Sequence, residues 1–324
     1  MIKKLLISSI VLLVFLYASG QQDPHFTQFY ANKLYLAPSF AGATHQDRVS
    51  MIYRNQWPSI PGTFVTYGLS YDHFFDNFNS GVGILLLRDL AGSGRLSTTN
   101  FGIQYSYDFE IVRGWHMRPG IHFFYTQTGI DFQLLEWNSG RNYPESPLPE
   151  PLESTGDVDF STSLLTYSER HWFGFTVDHL LKPKNSLYGT SQYIPLKVAV
   201  FGGTQLIRRG RLLNPIDETL SITFLYKNHY QVNQFDLGVY WYKDPLVLGL
   251  FYRGIPFINN EIRGDAVALL TGYKIENFSV GYSYDFTISK LLNTTGGSHE
   301  ISLNYEFSTT RTRKKRRMIP CPEF

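Results

Sequence analysis

Apolar and polar residues alternate one by one along much of this chain. From residue 100 to residue 109, every odd position is large and apolar or aromatic, and every even position is polar or glycine. Residues 279–288 and 301–307 repeat the pattern. Because successive side chains of a strand point to opposite faces, each run predicts a β-strand with one apolar face and one polar face.

The length of these strands, the residues of their polar face and the aromatic residues at their ends favour a membrane barrel over a soluble sandwich. They run for about 9 to 12 residues, which suits a tilted crossing of a bilayer better than the five or six residues of most soluble strands. Their polar face is rich in Gly, Ser, Thr and Asn, as suits a hydrated lumen. Aromatic residues gather at strand ends, for example Trp57, Trp115 and Trp172, which is typical of aromatic girdles. The fold class predicted is therefore all-β, a single-chain antiparallel transmembrane β-barrel.

Counting the alternating runs gives 14 strands, an even number as closed bacterial barrels normally have. They are predicted at residues 47–57, 63–75, 80–89, 95–110, 115–128, 157–167, 171–180, 194–207, 218–227, 231–242, 246–256, 265–274, 279–289 and 299–307. Links after most even-numbered strands are short, whereas 129–157 and 181–193 are long, which is the asymmetry between periplasmic turns and outer loops. Twelve or sixteen strands remain alternatives, because a single sequence defines strand ends only loosely.

The N-terminus has the features of a secretory signal peptide over residues 1–20. Lys3 and Lys4 precede an apolar stretch, and Ala18-Ser19-Gly20 offers small residues at the cleavage spacing. We expect cleavage near Gly20/Gln21 and delivery of the mature chain to the outer membrane of a Gram-negative cell. An uncleaved N-terminal anchor is the alternative.

Residues 21–46 lie between the signal peptide and the barrel predicted at 47–307. The stretch QQDPHFTQFYANKLYLAPSFAGA has many aromatics and two prolines but no sustained alternation. A lumen enclosed by 14 strands is wide enough to need filling, so we expect a plug, with a short helical turn around Thr27 to Tyr35; a periplasmic position is the alternative. The predicted plug residues are Gln22, Asp23, Pro24, Phe26, Phe29, Tyr30, Pro38, Phe40 and Gly42.

Residues 308–324, STTRTRKKRRMIPCPEF, extend beyond the last predicted strand. Six of the seven residues from 311 to 317 are cationic, and a run of this kind forms a solvated or anion-seeking arm. We expect a basic periplasmic tail that docks on lipid headgroups or an acidic partner; a tail held loosely by lipid is the alternative. The predicted docking residues are Lys314, Lys315, Arg316, Arg317, Cys321, Pro322 and Phe324.

Composition narrows the function without identifying it. Charged residues make up 17% of the chain, against roughly 25% in soluble domains, and the net charge of +2 argues against nucleic-acid binding. One cysteine excludes an intrachain disulfide framework and a Cys-based zinc site. No catalytic or phosphate-binding motif is present, so we expect no enzyme activity, no cofactor and no metal. Charged strand residues predicted to face the lumen, solvated or mutually paired, are Asp72, Arg88, Asp108, Asp178, Arg253 and Asp285.

Three segments resemble the PorP/SprF family of type IX secretion outer-membrane proteins from Bacteroidota. QDPHFTQFYANKLYLAPSFAG at 22–42 resembles the family's opening signature, YRNQWPSIPGTFVTYGLSYD at 53–72 its first hairpin, and KKRRMIPCPEF its ending. Lys33 and Ala37-Pro38-Ser39 depart from the Asn-Pro and Asn-Pro-Ala that the family often has. The resemblance is therefore weakest at the turn that these residues form.

The resemblance implies a non-enzymatic component of the type IX secretion and gliding machinery, needed for export or surface retention of an adhesin with a C-terminal domain. The implied partners are that domain, a peptidoglycan-associated periplasmic lipoprotein, ring proteins and outer-membrane lipids. We expect the outer links at 129–157 and 181–193 to receive the domain. The alternative is a diffusion or uptake channel similar to the 14-stranded long-chain fatty acid transporters, although the polar lumen face predicted here argues against a fatty ligand.

Overall fold

The computed structural model describes residues 23–92, 95–131, 154–187, 193–210, 218–230, 232–258, 261–288, 295–307 and 319–322. Within these ranges the chain forms 15 strands of one antiparallel sheet. Two of them, β4 and β5, are consecutive parts of one wall-crossing strand that is interrupted at Asp108, and both pair with β6. Each such complete crossing of the barrel wall is called a stave here. The sheet is therefore a closed barrel of 14 staves, and the predicted fold class and strand number are confirmed.

Every predicted strand is matched by an observed one whose ends differ by a few residues. The strands are β1 (Asp47–Gln56), β2 (Phe64–Phe75), β3 (Ser80–Ala91), β4 (Leu96–Tyr107), β5 (Phe109–Val112), β6 (Trp115–Gly129), β7 (Ser154–Tyr167), β8 (His171–Asp178), β9 (Lys197–Arg209), β10 (Glu218–His229), β11 (Val232–Lys243), β12 (Leu246–Ile258), β13 (Glu261–Ile275), β14 (Phe278–Thr287) and β15 (Ser298–Phe307).

The first and last strands close the barrel directly. β1 pairs with β15 along its whole length, from Asp47 opposite Phe307 to Gln56 opposite Ser298. Closure satisfies the backbone hydrogen bonds of what would otherwise be two free sheet edges, which a bilayer requires because its core offers no water. The described strands therefore form a continuous wall at this seam.

The wall separates two kinds of side chain because of the two-residue period of a strand. On β6, for example, Ile121, Phe123 and Tyr125 point outward with 45%, 56% and 47% of their surface exposed, whereas the alternate residues His122 and Phe124 are buried inside. None of the helices among the described residues has the length and apolar character needed to cross a membrane.

The prediction that Arg88 faces the lumen is wrong. On β3, Leu85 and Leu87 are buried inside the barrel, so the residue that follows them has its exposed side chain on the outer surface. Four consecutive apolar residues, 84–87, give β3 two apolar faces, and for this reason the pattern does not indicate which face is internal.

Two short helical pieces precede β1. The helix α1 (Lys33–Leu36) overlaps the end of the range Thr27 to Tyr35, where a helical turn is expected, and a 3₁₀ turn follows at Pro38–Phe40. Pro38 occupies the first position of the 3₁₀ turn, where its fixed φ is favourable and its missing N–H is not needed. Within the expected range, the amide of Ala31 also donates to the carbonyl of Gln28 at 2.9 Å and closes a turn.

Candidate functional site: the interior of the barrel

Residues 26–44 lie inside the closed sheet and are buried, apart from the partly buried Tyr35. Their backbone carbonyls accept hydrogen bonds from side chains on β4, β6 and β8. Gln104 on β4 donates to the carbonyl of Leu34 at 2.8 Å, and Arg118 on β6 donates to that of Ser39 at 3.1 Å. The strands therefore hold this segment by its main chain as well as by side-chain packing.

The segment runs lengthwise through the barrel. We call the two rims the long-link end, where links such as 130–153 and 179–196 join the strands, and the short-turn end, where turns such as 76–79 and 276–277 join them. Asp23 contacts His179 and Lys197 at the long-link end. The chain then reaches the short-turn end, where it enters β1 at Asp47.

Near the long-link end, four charged side chains form a buried quartet, defined here as Arg54, Arg253, Asp285 and Glu300. Arg54 lies 2.9 Å from Glu300 and 3.0 Å from Asp285, and Arg253 lies 3.0 Å from the same Asp285 oxygen. These side chains come from β1, β12, β14 and β15. Two cations and two anions balance, as burial of charge demands.

The quartet binds the segment through Thr27 and Gln28. The Glu300 carboxylate accepts hydrogen bonds from both backbone amides, at 3.0 and 2.7 Å. The Thr27 hydroxyl donates to Asp285 at 2.8 Å. Charged acceptors make such bonds stronger than neutral ones, so the quartet anchors the start of the segment to four strands at once.

A second anchor lies towards the short-turn end. The fully buried guanidinium of Arg118 donates to the carbonyls of Ser39 and Ala41 and pairs with Asp108 at 3.1 Å. The Tyr167 hydroxyl donates to the same carboxylate at 2.7 Å. Arg118 therefore acts on the backbone of the segment and is itself held by the strand residues around it.

The turn into β1 depends on a glycine. Gly42 has a φ of +67°, and an added Cβ would lie 2.9 Å from both the Cα of Gly81 and the carbonyl oxygen of His73. Its amide donates to Asp72 at 2.9 Å, and that carboxylate also pairs with Arg48 at 3.1 Å. The left-handed backbone and the close approach of two other backbone atoms therefore favour glycine at this turn.

At the long-link end, Asp23 is held between two cations. Its carboxylate lies 2.6 Å from the ammonium of Lys197 and 3.1 Å from Nε2 of His179, whose Nδ1 lies 2.6 Å from Asp159. Burial raises the pKa of Asp23, but the two cations outweigh it and hold this pKa well below its usual value. Burial lowers the pKa of His179, and the two carboxylates raise it to about 10. His179 is therefore a charged imidazolium at neutral pH.

An apolar wall covers the side of the interior formed by β7 to β13. Trp172 donates from its indole N–H to the Tyr30 hydroxyl at 2.7 Å, Phe29 packs edge-on against Phe251, and Phe40 lies 5.6 Å from Phe201. Further buried members of this cluster are Leu165, Leu225, Tyr240, Val247 and Leu270. The expectation of a polar lumen face holds for β1, β14 and β15, but it does not hold for this wall, and Trp172 lies inside the barrel and not in the predicted aromatic girdle.

The end of the chain lies against the same wall. Ile319 and Cys321 are 4% and 2% exposed and belong to the cluster that contains Tyr30 and Tyr240. Gln205, near the short-turn end of β9, donates to the carbonyl of Pro320 at 3.0 Å. The predicted docking residues Cys321 and Pro322 are therefore buried, whereas Lys314, Lys315, Arg316, Arg317 and Phe324 lie outside the described residues, as does Gln22.

The structure brings most of the predicted plug residues together. Phe26 packs against Tyr35 in a T-shaped arrangement at 5.2 Å, and Pro24 accepts a hydrogen bond from the Tyr35 hydroxyl at 2.5 Å. Sequence reasoning missed the polar anchors Thr27, Gln28 and Glu300. Charged residues at inward-facing positions of otherwise uncharged strand faces were the available signal for these anchors.

No metal centre is present among the residues that the structure describes, since nowhere do three His, Cys, Asp or Glu side chains converge as ligands. The interior consists of ion pairs, backbone hydrogen bonds and packed rings. What the arrangement can do is hold two chain segments in place within the barrel.

Comparison with known proteins gives one family and several barrels. The model of a family described as type IX secretion system membrane protein PorP/SprF matches residues 18–305. The solved structure of the Ralstonia pickettii toluene transporter TbuX is similar, with 8% identity, a TM-score of 0.52 and coverage of 85% of this chain and 93% of that one. Omp33 of Acinetobacter baumannii has 8% identity and a TM-score of 0.46, and the match covers 82% of this chain and 100% of that one. No curated protein sequence matches.

Proposed function

Because the chain belongs to the PorP/SprF family of type IX secretion system membrane proteins, as its motifs indicated, we propose that it is a non-enzymatic outer-membrane component needed for export or surface retention of a cognate adhesin. The signal peptide would be removed near Gly20/Gln21. The adhesin would be recognised through its C-terminal domain, by shape and main-chain pairing with the barrel.

The occupied interior is the observation that carries this proposal. Residues 26–44 fill the barrel, and the buried quartet and Arg118 hold them by their backbone. A diffusion channel needs an open path, whereas a scaffold gains rigidity from a filled interior. The anchoring of the segment therefore favours a scaffold that binds partners at both rims of the barrel.

Each rim would serve a different partner. Short turns of outer-membrane barrels lie in the periplasm and long links lie outside the cell, so the long-link end would receive the exported domain through 129–157 and 181–193. The short-turn end, where β15 ends at Phe307 and the sequence continues into the basic run at 311–317, would face the peptidoglycan-associated lipoprotein and the ring proteins. Cations near that rim suit lipid headgroups or an acidic protein surface.

An uptake channel is the second candidate function, and the apolar wall of β7 to β13 favours it. The toluene transporter TbuX shares the barrel fold at 8% identity, but such a likeness shows the fold alone. Planar-bilayer recordings separate the two functions. A sealed wild-type barrel supports the scaffold, and a steady open pore supports the channel.

Deletion of residues 308–324 tests the role of the tail. We expect the truncated barrel to assemble in the outer membrane while the cognate adhesin no longer reaches the cell surface. Two narrower variants divide the tail: replacement of Lys314, Lys315, Arg316 and Arg317 by Ser removes charge, and Ile319→Ala removes buried packing. If the adhesin reaches the surface in cells that carry the stable truncated barrel, the tail has no docking role.

A further inference from the structure

A small cavity of about 40 Å³ lies at the long-link end, between the start of the N-terminal segment and strands β9, β10 and β11. The residues of its lining that matter here are Asp23, His25, Lys197, Lys227, His229 and Gln234. The exposed side chain of Val232 also lines the cavity. The quartet and Arg118 do not line this cavity.

The two lysines of the cavity differ in how their charges are balanced. Lys197 lies 2.6 Å from Asp23 and 3.1 Å from Asp178, so two carboxylates surround it. Lys227 lies 2.7 Å from Nδ1 of His25, and it forms no ion pair with any carboxylate of the described residues. The ammonium of Lys227 therefore contacts an imidazole nitrogen, whereas the ammonium of Lys197 contacts carboxylates.

The contacts of His25 determine which N–H groups of Lys227 are available to bind a ligand. Nδ1 of His25 accepts from Lys227, while Nε2 lies 3.1 Å from Asp236 and donates to that carboxylate. Asp236 in turn pairs with Arg253 at 3.5 Å. The nearest negative charge is thus already shared by two other groups, and two of the three N–H groups of Lys227 have no acceptor among the residues that the structure describes.

His229 supplies a second and independent observation. Its side chain is only 9% exposed, and its Nε2 atom is buried without a hydrogen-bond partner among the described residues. A buried polar atom without a partner costs stability. Lys227 and His229 are two residues apart on β10, so both project from the same inner face of that strand.

We propose that this cavity binds one carboxylate group. One oxygen would accept from the Lys227 ammonium, and the other would accept from an N–H group at Nε2 of His229. The volume is large enough for water-sized groups, and the two donors match the two oxygens of a carboxylate better than the four oxygens of a phosphate. The site is independent of the adhesin hypothesis, and a carboxylate at the end or side of an external chain would reach it from the long-link rim.

Acetate labelled with ¹³C is a suitable probe for the full-length protein in detergent. We expect the wild-type barrel to broaden the methyl NMR signal of acetate in a saturable way. Lys227→Gln should weaken binding about tenfold or more, as expected for loss of a hydrogen bond to a charged group. Lys184→Gln, at an exposed lysine beyond β8, is the matched control and should bind as the wild type does.

A second variant and competition by other anions test whether the bound acetate occupies the proposed carboxylate site. His229→Asn should also weaken acetate binding, and it replaces Lys227→Gln if that variant does not fold, as judged by heat-dependent migration in gels. Phosphate should not displace acetate. Absence of saturable broadening in the wild type, equal binding by Lys227→Gln, or full displacement by an equal concentration of chloride would each overturn the carboxylate site.

Discussion

At the scale of single residues, the interior is organised by charged side chains that act on backbone groups. Glu300 accepts from two consecutive amides, and Arg118 donates to two carbonyls of the same segment. A side chain that binds main-chain atoms specifies where the chain lies without depending on the identity of the residue that it holds. The position of residues 26–44 therefore depends on a few charged strand residues.

Glu300→Gln should destabilise the barrel, because it leaves Arg54 short of a negative partner and places an amide N–H group against backbone N–H donors. Removing one partner of a buried ion pair costs about 3–5 kcal/mol. The measurement is the temperature at which the folded band is lost in semi-native gels. Glu276→Gln, at an exposed turn position, is the control, and an unchanged transition in Glu300→Gln would show that the quartet contributes no stability.

His179 should make stability depend on alkaline pH. Its folded pKa is raised to about 10, above the unfolded value of about 6.5, so the stabilisation is complete below about pH 6.5 and is lost as pH rises through 10. We expect the gel transition temperature of the wild type to fall between pH 7 and pH 10.5. His179→Asn, which tolerates the φ of +62° at this position, should show a smaller fall; an equal fall in both proteins would contradict this assignment.

At the scale of elements, the alternation of residues predicts strands well where only one face is apolar. β4 and β15 show this pattern, and both lie where the sequence predicts them. On β3 and β12 both faces are apolar, since Leu85, Leu87, Val247 and Phe251 point inward while their neighbours point outward. Such strands are recognisable, but which face is internal depends on the register with the neighbouring strands.

The fit between the segment and the wall depends on glycines of the strands. A Cβ at Gly120 of β6 would lie 2.2 Å from the backbone nitrogen of Ser39. Gly120→Ala should therefore push the segment away from β6, lower the gel transition temperature by an amount equivalent to about 1–3 kcal/mol, and raise conductance in planar bilayers.

Gly249→Ala is the matched control for this change. It lies on β12, and its added methyl group would meet side-chain atoms of Phe251 and Leu270 at 3.1 and 3.2 Å, with no backbone contact as close as that at Gly120. We expect a smaller loss of stability and no change in conductance. Equal effects of the two variants would mean that the close approach at Ser39 is unimportant.

At the scale of the whole molecule, the path of residues 23–47 predicts where an N-terminus produced by cleavage near Gly20/Gln21 would lie. Asp23 lies at the long-link end, and the chain then passes through the barrel to start β1 at the opposite rim. Since long links face the outside of the cell, the processed N-terminus should be accessible at the cell surface, although the first strand starts from the periplasmic side.

An epitope inserted before Asp23 tests this path. Antibody should bind it on intact cells, whereas the same epitope in the 76–79 turn should be bound only after the outer membrane is permeabilised. Detection of the first epitope only in permeabilised cells would place the N-terminus in the periplasm and contradict the observed path.

The sequence by itself determined the barrel and the family, and it predicted 14 staves with twelve and sixteen as alternatives, because a two-residue period and the motifs at the two ends and in the first hairpin are local properties of the chain. It also indicated that residues 21–46 differ from the strands. These features can be read from neighbouring residues without knowing which distant residues meet.

Only the tertiary structure decided how the interior is filled. Arg54, Arg253, Asp285 and Glu300 lie on four strands and become one quartet only when β1 closes on β15. Likewise, Ile319 and Cys321 follow a basic run that indicates an exposed arm, yet they pack against Tyr30 and Tyr240. Such contacts join residues that are up to about three hundred positions apart, and a local pattern carries no information about pairs so distant.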